Sequence, residues 1–514
     1  MVLGSRRRCR VEGTALATLI GTLAALCAPG AAGAAQQTPP VTPAISTASL
    51  SIDRHQPPLK IPPSFLGLST EYWTLPVDER HVALYDRMLR LLHVPGDGPF
   101  ILRIGGDSAS HTLYDPNLLE PPRWAFELTP SFIERTASIV KALRLRVILD
   151  LNLVTGSPQL AAAWARVAET RLPRKSIIGF EIANEPDLYD RAFWLFTTGG
   201  EQFSGHALPP DITPVDYARD FNRYAAILGR VVPGVPLLAP ALANPVADRR
   251  FIEVLLAGPH PGLGEVSGHR YPYSGCALRD SPQYPTFERI LSERASARPA
   301  QLLQPVVAYV RRHADLPFRL TEFNSITCGG LFGVSNSYST ALWAPDAVFE
   351  YVRAGVRGVS LHARVRAIND PFTFDARGLV VHPLLYGLIL FARTLGPDAR
   401  LVPTHLQATA PHLKAWTVAV GKRTLHVLLL NKGPTVASVT MALPARGRAT
   451  VERLLGASPA AQTGETLAGR SLNSEGRWSG RALREVVRPR AHKYTVALPP
   501  YSAALVALQA TSPP

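Results

Sequence analysis

The feature that most constrains the fold is an alternation of short apolar strands with amphipathic helices, which begins near residue 65 and repeats eight times. The helical stretches, such as Arg80–Leu92 and Val215–Val231, carry apolar residues at spacings of three and four. This alternation predicts right-handed crossovers and a parallel sheet, and eight units close a (β/α)8 TIM barrel. An open doubly wound sheet, which usually has fewer units, is the alternative. The predicted strands are Phe65–Glu71, Phe100–Gly105, Val147–Leu153, Ile177–Asn184, Pro236–Ala241, Val266–Tyr271, Phe318–Glu322 and Val359–His362.

The pattern changes after Leu395, where apolar and polar residues alternate and Pro and Gly punctuate the gaps. We therefore predict an α/β barrel over residues 61–396 and an antiparallel β-sandwich domain over residues 397–514. Residues 35–60 form a leader in which Ala48–Ile52 also alternates, so this stretch is a candidate strand of the sandwich. The strands predicted in the second domain are Leu413–Val420, Thr424–Leu430, Ser438–Leu443, Ala449–Leu455 and Tyr494–Leu498.

The N-terminus has the pattern of a signal peptide over residues 1–34. A basic segment with Arg6 and Arg10 precedes the apolar run Thr14–Ala28, and Ala32-Gly33-Ala34 is a cleavage site with small residues. The rest of the sequence contains no uninterrupted apolar run of about 18 residues. We expect a secreted protein, extracellular or periplasmic, with no membrane association after the signal is removed.

The formal net charge of +15 invites a nucleic-acid or acidic-polymer interpretation. The basic residues are mostly arginine, 47 against 7 lysines, and no block of five or six like charges occurs in the body of the chain. A generally basic surface explains the charge better, and we expect no nucleic-acid partner.

Cysteine usage predicts one disulfide. Cys9 and Cys27 lie in the signal peptide, which leaves Cys276 and Cys328 in the exported protein. An even pair outside the cytoplasm is typical of a disulfide, whereas two unpaired buried thiols are the alternative.

Acidic residues stand at the ends of two predicted barrel strands, where active sites of this fold lie. The fourth strand ends in Asn184-Glu185-Pro186 and the seventh in Glu322-Phe323-Asn324. Glycoside hydrolysis requires two facing carboxylates, one to protonate the departing oxygen and one to attack the anomeric carbon or activate water. A single Glu at a strand end is more often a salt-bridge partner or a helix cap, so the prediction depends on the combination.

Further polar residues at strand ends are candidates for substrate binding: Arg103, His269, Tyr271 and His362. An Arg and a Tyr beside a carboxylate favour its ionised form. Arg103 has an alternative interpretation as a barrel-mouth ion pair, and the two histidines as satisfied core residues. The sequence shows no His/Cys cluster with metal-ligand spacing, no phosphate-binding loop and no nucleophile elbow, so we expect neither a metal nor a cofactor.

These motifs resemble those of a known family. The segment from Glu181 to Asp187 resembles the acid/base strand of the clan A retaining glycosidases, and Arg103–Ser108 and Thr321–Ser325 are similar to motifs of glycoside hydrolase family 79, which contains β-glucuronidases and heparanases. The resemblance covers nearly all of residues 60–510. It implies that Glu185 is the acid/base, Glu322 the nucleophile and Asn184 the partner of the sugar 2-hydroxyl, with Tyr271 beside the nucleophile and Glu71 and Asn324 near the sugar.

The sequence departs from that family at Arg270, at Asp107, where the family often has Asn, and at residues 363–366, where it often has glycines. These changes leave the identity of the bound sugar undetermined, or they add positive charge that would suit a uronate carboxylate. The predicted function is a retaining β-glucuronidase that cleaves terminal β-D-glucuronic acid from a carbohydrate. The alternatives are another clan A activity (xylosidase, glucosidase or an endo-acting heparanase-like enzyme) and a non-catalytic carbohydrate-binding protein.

Overall fold

The computed structural model describes residues 45–53, 55–115, 117, 120–189, 212–364 and 367–511. The predicted signal peptide, residues 1–34, lies outside them. The strands are β1 Ser46–Ile52, β2 Leu59–Lys60, β3 Leu66–Glu71, β4 Ile101–Gly105, β5 Thr112–Leu113, β6 Phe126–Glu127, β7 Arg146–Leu151, β8 Ile177–Ile182, β9 Leu237–Leu242, β10 Leu263–Arg270, β11 Tyr273–Ser274, β12 Phe318–Phe323, β13 Ile326–Thr327, β14 Val359–His362, β15 Phe372–Asp375, β16 Gly378–Val381, β17 Arg400–Val402, β18 Thr404–Ala408, β19 Leu413–Val420, β20 Thr424–Asn431, β21 Ala437–Ala442, β22 Ala445–Leu455, β23 Thr466–Leu467, β24 Ser471–Leu472, β25 Trp478–Ser479, β26 Glu485–Val487, β27 Lys493–Leu498 and β28 Ser502–Ala510. The helices are α1 Leu75–Arg80, α2 Val82–Leu92, α3 Pro130–Leu143, α4 Pro158–Arg171, α5 Pro214–Val231, α6 Arg250–Ala257, α7 Phe287–Leu291, α8 Ala297–Ala314, α9 Tyr338–Ala354 and α10 Pro383–Thr394.

Eight parallel strands close into a barrel in the order β10-β12-β14-β3-β4-β7-β8-β9, and β9 pairs with β10 to complete the ring. Each of the eight predicted strands overlaps one barrel strand, so the predicted (β/α)8 barrel is confirmed. The open doubly wound sheet is wrong because the ring has no free edge. The strands are almost wholly buried, as all six residues of β3 are, since side chains fill the barrel interior on one face and helices cover the other.

Four of the described helices begin at a Ser or Thr whose side chain accepts a hydrogen bond from an amide of the first turn. The Thr129 side chain accepts a hydrogen bond from the Phe132 amide at the start of α3. Thr213 and Asp216 form a reciprocal capping box at the start of α5. At its other end, α9 stops at Gly355, whose φ of 83° is a left-handed value that suits glycine. Among the described residues, no helix combines the length and apolarity needed to cross a membrane.

The C-terminal residues form two sheets that fit the predicted β-sandwich. The larger sheet has the order β2-β17-β19-β20-β28-β22-β23, and the smaller one has the order β18-β1-β21-β27. The pairing is antiparallel except that β1 runs parallel to β21, because β1 reaches the sandwich from the other end of the chain. A buried apolar cluster that includes Leu429, Val439 and Val506 lies between the sheets.

A buried ionic cluster joins the sandwich to the barrel helices. The Lys432 ammonium, on the sandwich side, lies 2.6 Å from Oδ2 of Asp346 in α9. The other oxygen of Asp346 accepts a hydrogen bond of 2.9 Å from the Trp416 indole in β19. Both ionic side chains are almost fully buried, so each depends on the other for charge compensation.

The predicted disulfide between Cys276 and Cys328 is confirmed, with Cα atoms 6.0 Å apart. It joins the loops that follow β10 and β12. The short strands β11 and β13 pair beside it, with Ser274 opposite Thr327. Two loops are therefore held together next to the C-terminal ends of the barrel strands.

Candidate active site

Arg103 in β4 is the hub of the polar cluster inside the barrel mouth. Its Nε donates to Glu181 at 2.7 Å, its Nη2 to Asp150 at 2.9 Å and its Nη1 to Glu322 at 3.1 Å. Its Nη2 also donates to Oδ1 of Asn184 at 2.9 Å. The side chain is fully buried, and the surrounding carboxylates hold the pKa of the guanidinium above its ordinary value against the opposing effect of burial. Arg103 thus fixes groups from several strands in one geometry.

Glu185 follows β8 in an unusual backbone conformation. Its φ of 52° and the φ of 77° at Ala183 both lie in the left-handed region, which costs free energy for a residue with a side chain. This backbone sends the Asn184 side chain to Arg103 and leaves the Glu185 side chain 15% exposed, facing the mouth. Nδ1 of His269 lies 2.8 Å from Oε1 of Glu185. Burial alone would lower the pKa of His269, but the carboxylates of Glu322 and Glu185 raise it.

Glu322 in β12 is held by donors on both oxygens. The Tyr271 hydroxyl donates to its Oε1 at 2.6 Å, and Nδ1 of His362 lies 3.0 Å from the same oxygen. Arg103 serves Oε2. Burial opposes ionisation, yet His362, His269 and Arg103 together hold the pKa of Glu322 well below its ordinary value. Glu322 is therefore kept as a carboxylate.

Glu71 in β3 lies behind His362, with Oε1 3.3 Å from Nε2 of that ring. The Ser108 amide donates to its other oxygen at 2.8 Å. Burial lowers the pKa of His362, but the carboxylates of Glu322 and Glu71 outweigh it and raise the value to about 10. His362 is therefore a cation between two carboxylates at neutral pH.

The two candidate catalytic carboxylates approach each other closely. One oxygen of Glu185 and one of Glu322 lie within 4.8 Å of each other, together with a ring nitrogen of His269. This is near the separation of about 5–5.5 Å between carboxyl groups in retaining glycosidases and short of the ~6.5–9.5 Å in inverting ones. The same three side chains offer metal-ligand atoms, but the Arg103 guanidinium on Glu322 opposes a second cation there.

The remaining predicted residues have different surroundings. Asn324 is fully buried, and its side-chain amide donates to the His362 and Asn369 carbonyls, so it ties two loops together. Asp107 lies in the barrel mouth 3.7 Å from Arg364. Burial and the nearby carboxylates, Glu71 first, raise the pKa of Asp107 to about 7.

Two of the three carboxylates around Arg103, Glu181 and Asp150, were not among the site residues predicted from the sequence. Both stand among apolar residues near the end of a barrel strand, and a charge in such a position signals a buried partner. Of the basic residues near the sixth and eighth strand ends, Arg270 donates to Oδ1 of Asn244 at 2.9 Å, and Arg366 lies outside the described residues.

Comparison with known proteins gives relatives of low identity and a well-matched fold. No protein-family model matches the chain. A β-glucuronidase of Aspergillus niger is 23% identical over 449 residues, which are 77% of this chain and 80% of that protein. A 4-O-α-L-rhamnosyl-β-D-glucuronidase from Fusarium oxysporum superposes with a TM-score of 0.69 at 16% identity, covering 89% of this chain and 99% of that one. A family 51 arabinofuranosidase from Xanthomonas axonopodis pv. citri gives 0.65 at 16% identity, covering 90% and 100%.

The structural likenesses show that the chain shares the barrel-plus-sandwich fold of these enzymes. The Aspergillus relative is a glycoside hydrolase by name, which supports a glycosidase.

Proposed function

We propose that this protein is a retaining β-glucuronidase. The observation that carries the proposal is the asymmetry of the pair: Glu322 is held ionised by Tyr271, His362 and Arg103, whereas Glu185 faces the mouth with a single histidine contact. A nucleophile needs the first environment, and a group that must carry a proton and release it needs the second.

In the first step an oxygen of Glu322 attacks the anomeric carbon, and the bond to the departing oxygen breaks as Glu185 gives that oxygen its proton. The product is a covalent glycosyl-enzyme and a free aglycone. In the second step Glu185, now ionised, takes a proton from water while the water oxygen displaces Glu322 from the anomeric carbon. The sugar leaves with its original configuration, and both carboxyl groups return to their starting states.

Asn184 is assigned to the sugar 2-hydroxyl. Its Oδ1 is already bound to Arg103, so its amide NH₂ is directed by that bond and remains able to donate. A hydrogen bond to the 2-hydroxyl that strengthens in the transition state lowers the barrier. Arg103 is therefore a positioning residue that sets both Asn184 and Glu322.

The choice of glucuronic acid is supported by the names of the Aspergillus and Fusarium proteins. It is also supported by Arg364, a cation at the barrel mouth 3.7 Å from Asp107, since a uronate carboxylate gains charge-assisted hydrogen bonds that a hydroxymethyl group lacks. Membership of glycoside hydrolase family 79 is part of the proposal and depends on the motifs around Arg103 and Glu322. Export by way of the signal peptide over residues 1–34 is proposed as well.

A panel of 4-nitrophenyl glycosides with one leaving group tests this function. We expect the β-glucuronide to exceed the β-glucoside by at least about tenfold in kcat/KM, because one or two charge-assisted bonds are worth about 1.5–3 kcal/mol each. Faster hydrolysis of the glucoside or xyloside would select another clan A activity. Binding of glucuronic acid with no turnover of any glycoside would select a carbohydrate-binding protein.

A further inference from the structure

A cavity of about 950 Å³ lies beside the candidate active site, between the end of β10 and the first turn of α8. It adjoins both halves of the catalytic pair. Tyr271, which lines it, donates to Glu322. Asn244, which also lines it, donates its backbone amide to Asp187, two residues beyond Glu185. A substrate held between the two glutamates therefore has this cavity next to it.

Three arginines line the cavity: Arg270, Arg294 and Arg298. Arg270 donates to the neutral Asn244, and its buried Nε has no hydrogen-bond partner. Arg294 and Arg298 are exposed. Within the described part of the chain, none of the three makes an ion pair, in contrast to Arg103 and Arg319, which do.

Three guanidinium groups line the cavity against one carboxylate, Glu293, which is itself paired with lysines. Glu293 lies 2.7 Å from the Lys414 ammonium and 3.1 Å from that of Lys432. The arginines consequently give the cavity a net positive charge. A partly buried guanidinium without a carboxylate partner is unfavourable unless an anion approaches it.

The start of α8 adds to this charge. The helix has 18 residues, and Ala297 and Arg298 in its first turn line the cavity. The Ser296 hydroxyl before it donates to Asp346 and does not cap the helix. The positive end of the helix dipole is therefore directed to the cavity without a side-chain acceptor.

We propose that this cavity binds an anionic group, a carboxylate or a sulfate ester, carried by the part of the substrate that leaves. The inference rests on the proposed function and extends it, because it names acidic carbohydrates as the substrate class. Planar guanidinium groups suit both anions, since each can accept two parallel hydrogen bonds from one arginine.

Two disaccharides test the proposal: β-glucuronic acid linked to glucose, and the same disaccharide with a sulfate ester on the glucose. We expect the wild type to hydrolyse the sulfated substrate with a KM at least tenfold lower. In the Arg294→Gln/Arg298→Gln double variant this preference falls below twofold, while kcat/KM for the unsulfated substrate stays within twofold of wild type. The Arg311→Gln/Arg312→Gln variant is the matched control, because it removes two exposed arginines from the far end of α8.

The proposal is overturned if the wild type does not prefer the sulfated disaccharide, or if both double variants retain that preference equally. Calorimetric titration with inorganic sulfate separates the sources of the anion. Sulfate binding that is lost only in the Arg294/Arg298 variant, without a substrate preference, means that the cavity takes a free anion, which refutes the assignment to the leaving group. If no glucuronide is hydrolysed, the 4-nitrophenyl β-glucuronide included, the proposed function fails. If only the two disaccharides are refused, or if sulfate does not bind, the assignment of the cavity to the leaving group is refuted instead.

Discussion

At the scale of single residues, two glutamates with the same chemistry are given different roles by their neighbours. Glu322 has donors from a tyrosine, an arginine and a protonated histidine, and Glu185 has one histidine and access to the mouth. The difference is one of local electrostatics, and it leads to different phenotypes for the two alanine variants.

Glu322→Ala is expected to lose nearly all turnover of every substrate, because it removes the proposed nucleophile. Glu185→Ala is expected to form the glycosyl-enzyme from substrates with good leaving groups and to hydrolyse it slowly. Added azide should rescue Glu185→Ala with a β-glycosyl azide as product, since an anion needs no general base. With Glu322→Ala, azide should give the α product. The NMR spectrum of each product gives its anomeric configuration. Identical behaviour of the two variants would refute the assignment of different roles to Glu185 and Glu322.

His362 links the site to stability. Its folded pKa of about 10 exceeds the value of about 6.5 in an unfolded chain. The contribution of protonated His362 to the free energy of unfolding is therefore complete below pH 6.5, and it is lost as the pH rises through about 10. We expect His362→Gln to lower the free energy of unfolding by about 2 kcal/mol at pH 6 and by much less at pH 10. Denaturant unfolding at both pH values measures this, with the exposed His412→Gln as control; an equal loss at the two pH values would contradict the ion pair.

At the scale of elements, two glycines in helices have opposite surroundings. A Cβ at Gly387 in α10 would lie 2.3 Å from the Ala341 carbonyl oxygen of α9, whereas one at Gly229 in α5 would meet nothing within 4 Å. The first glycine allows α9 and α10 to pack closely, and the second has no such role.

We accordingly expect Gly387→Ala to destabilise the protein by about 1–3 kcal/mol, because the backbones must separate. Gly229→Ala should stabilise by about 0.4–1 kcal/mol through the lower entropy of its unfolded chain. Thermal or denaturant unfolding of both variants provides the comparison. Equal effects of the two substitutions would show that the α9–α10 contact is looser than the structure has it.

The positions of the barrel strands were predicted from hydrophobic periodicity. The features that this periodicity missed have a physical reason. The strand β28, Ser502–Ala510, was not predicted. It lies between β20 and β22 and is buried on both faces, so its sequence lacks the alternation of a half-exposed strand. The register shift at Gly268/His269 in β10 was equally out of reach, since a bulge is set by tertiary packing.

The two glutamates of the candidate site were predictable from the sequence, whereas the hydrogen bonds that join its residues were not. The sequence placed Glu185 and Glu322 at strand ends, and the structure brings them together because barrel strands deliver side chains to one face. The partners of Arg103 come from several strands. Which of their residues face the barrel interior at the same height along the barrel axis is fixed only when the barrel closes. For the same reason, sequence analysis gave no indication that Asn324 ties loops together rather than facing the mouth.

At the scale of the whole molecule, barrel and sandwich are joined by charge as well as by apolar packing. Lys432→Met would leave the buried Asp346 with the Lys414 ammonium at 3.9 Å as its nearest cation. We expect a loss of about 3 kcal/mol in the free energy of unfolding. The exposed Lys422→Met is the control and should change it by less than about 0.5 kcal/mol. A stability for Lys432→Met close to that of the control would show that the pair does not hold the two parts together.

In the proposed mechanism, Glu322 forms a covalent bond to a glucuronic acid residue. A 2-deoxy-2-fluoro-β-glucuronosyl fluoride should trap this intermediate, because the fluorine at C2 slows both steps while the good leaving group keeps the first one accessible. Peptide mass spectrometry of the inactivated protein should find the sugar attached to Glu322 and, with Glu322→Gln, no adduct. Attachment to Glu185 or to another residue, or turnover to the inverted sugar without any adduct, would show that Glu322 is not the nucleophile.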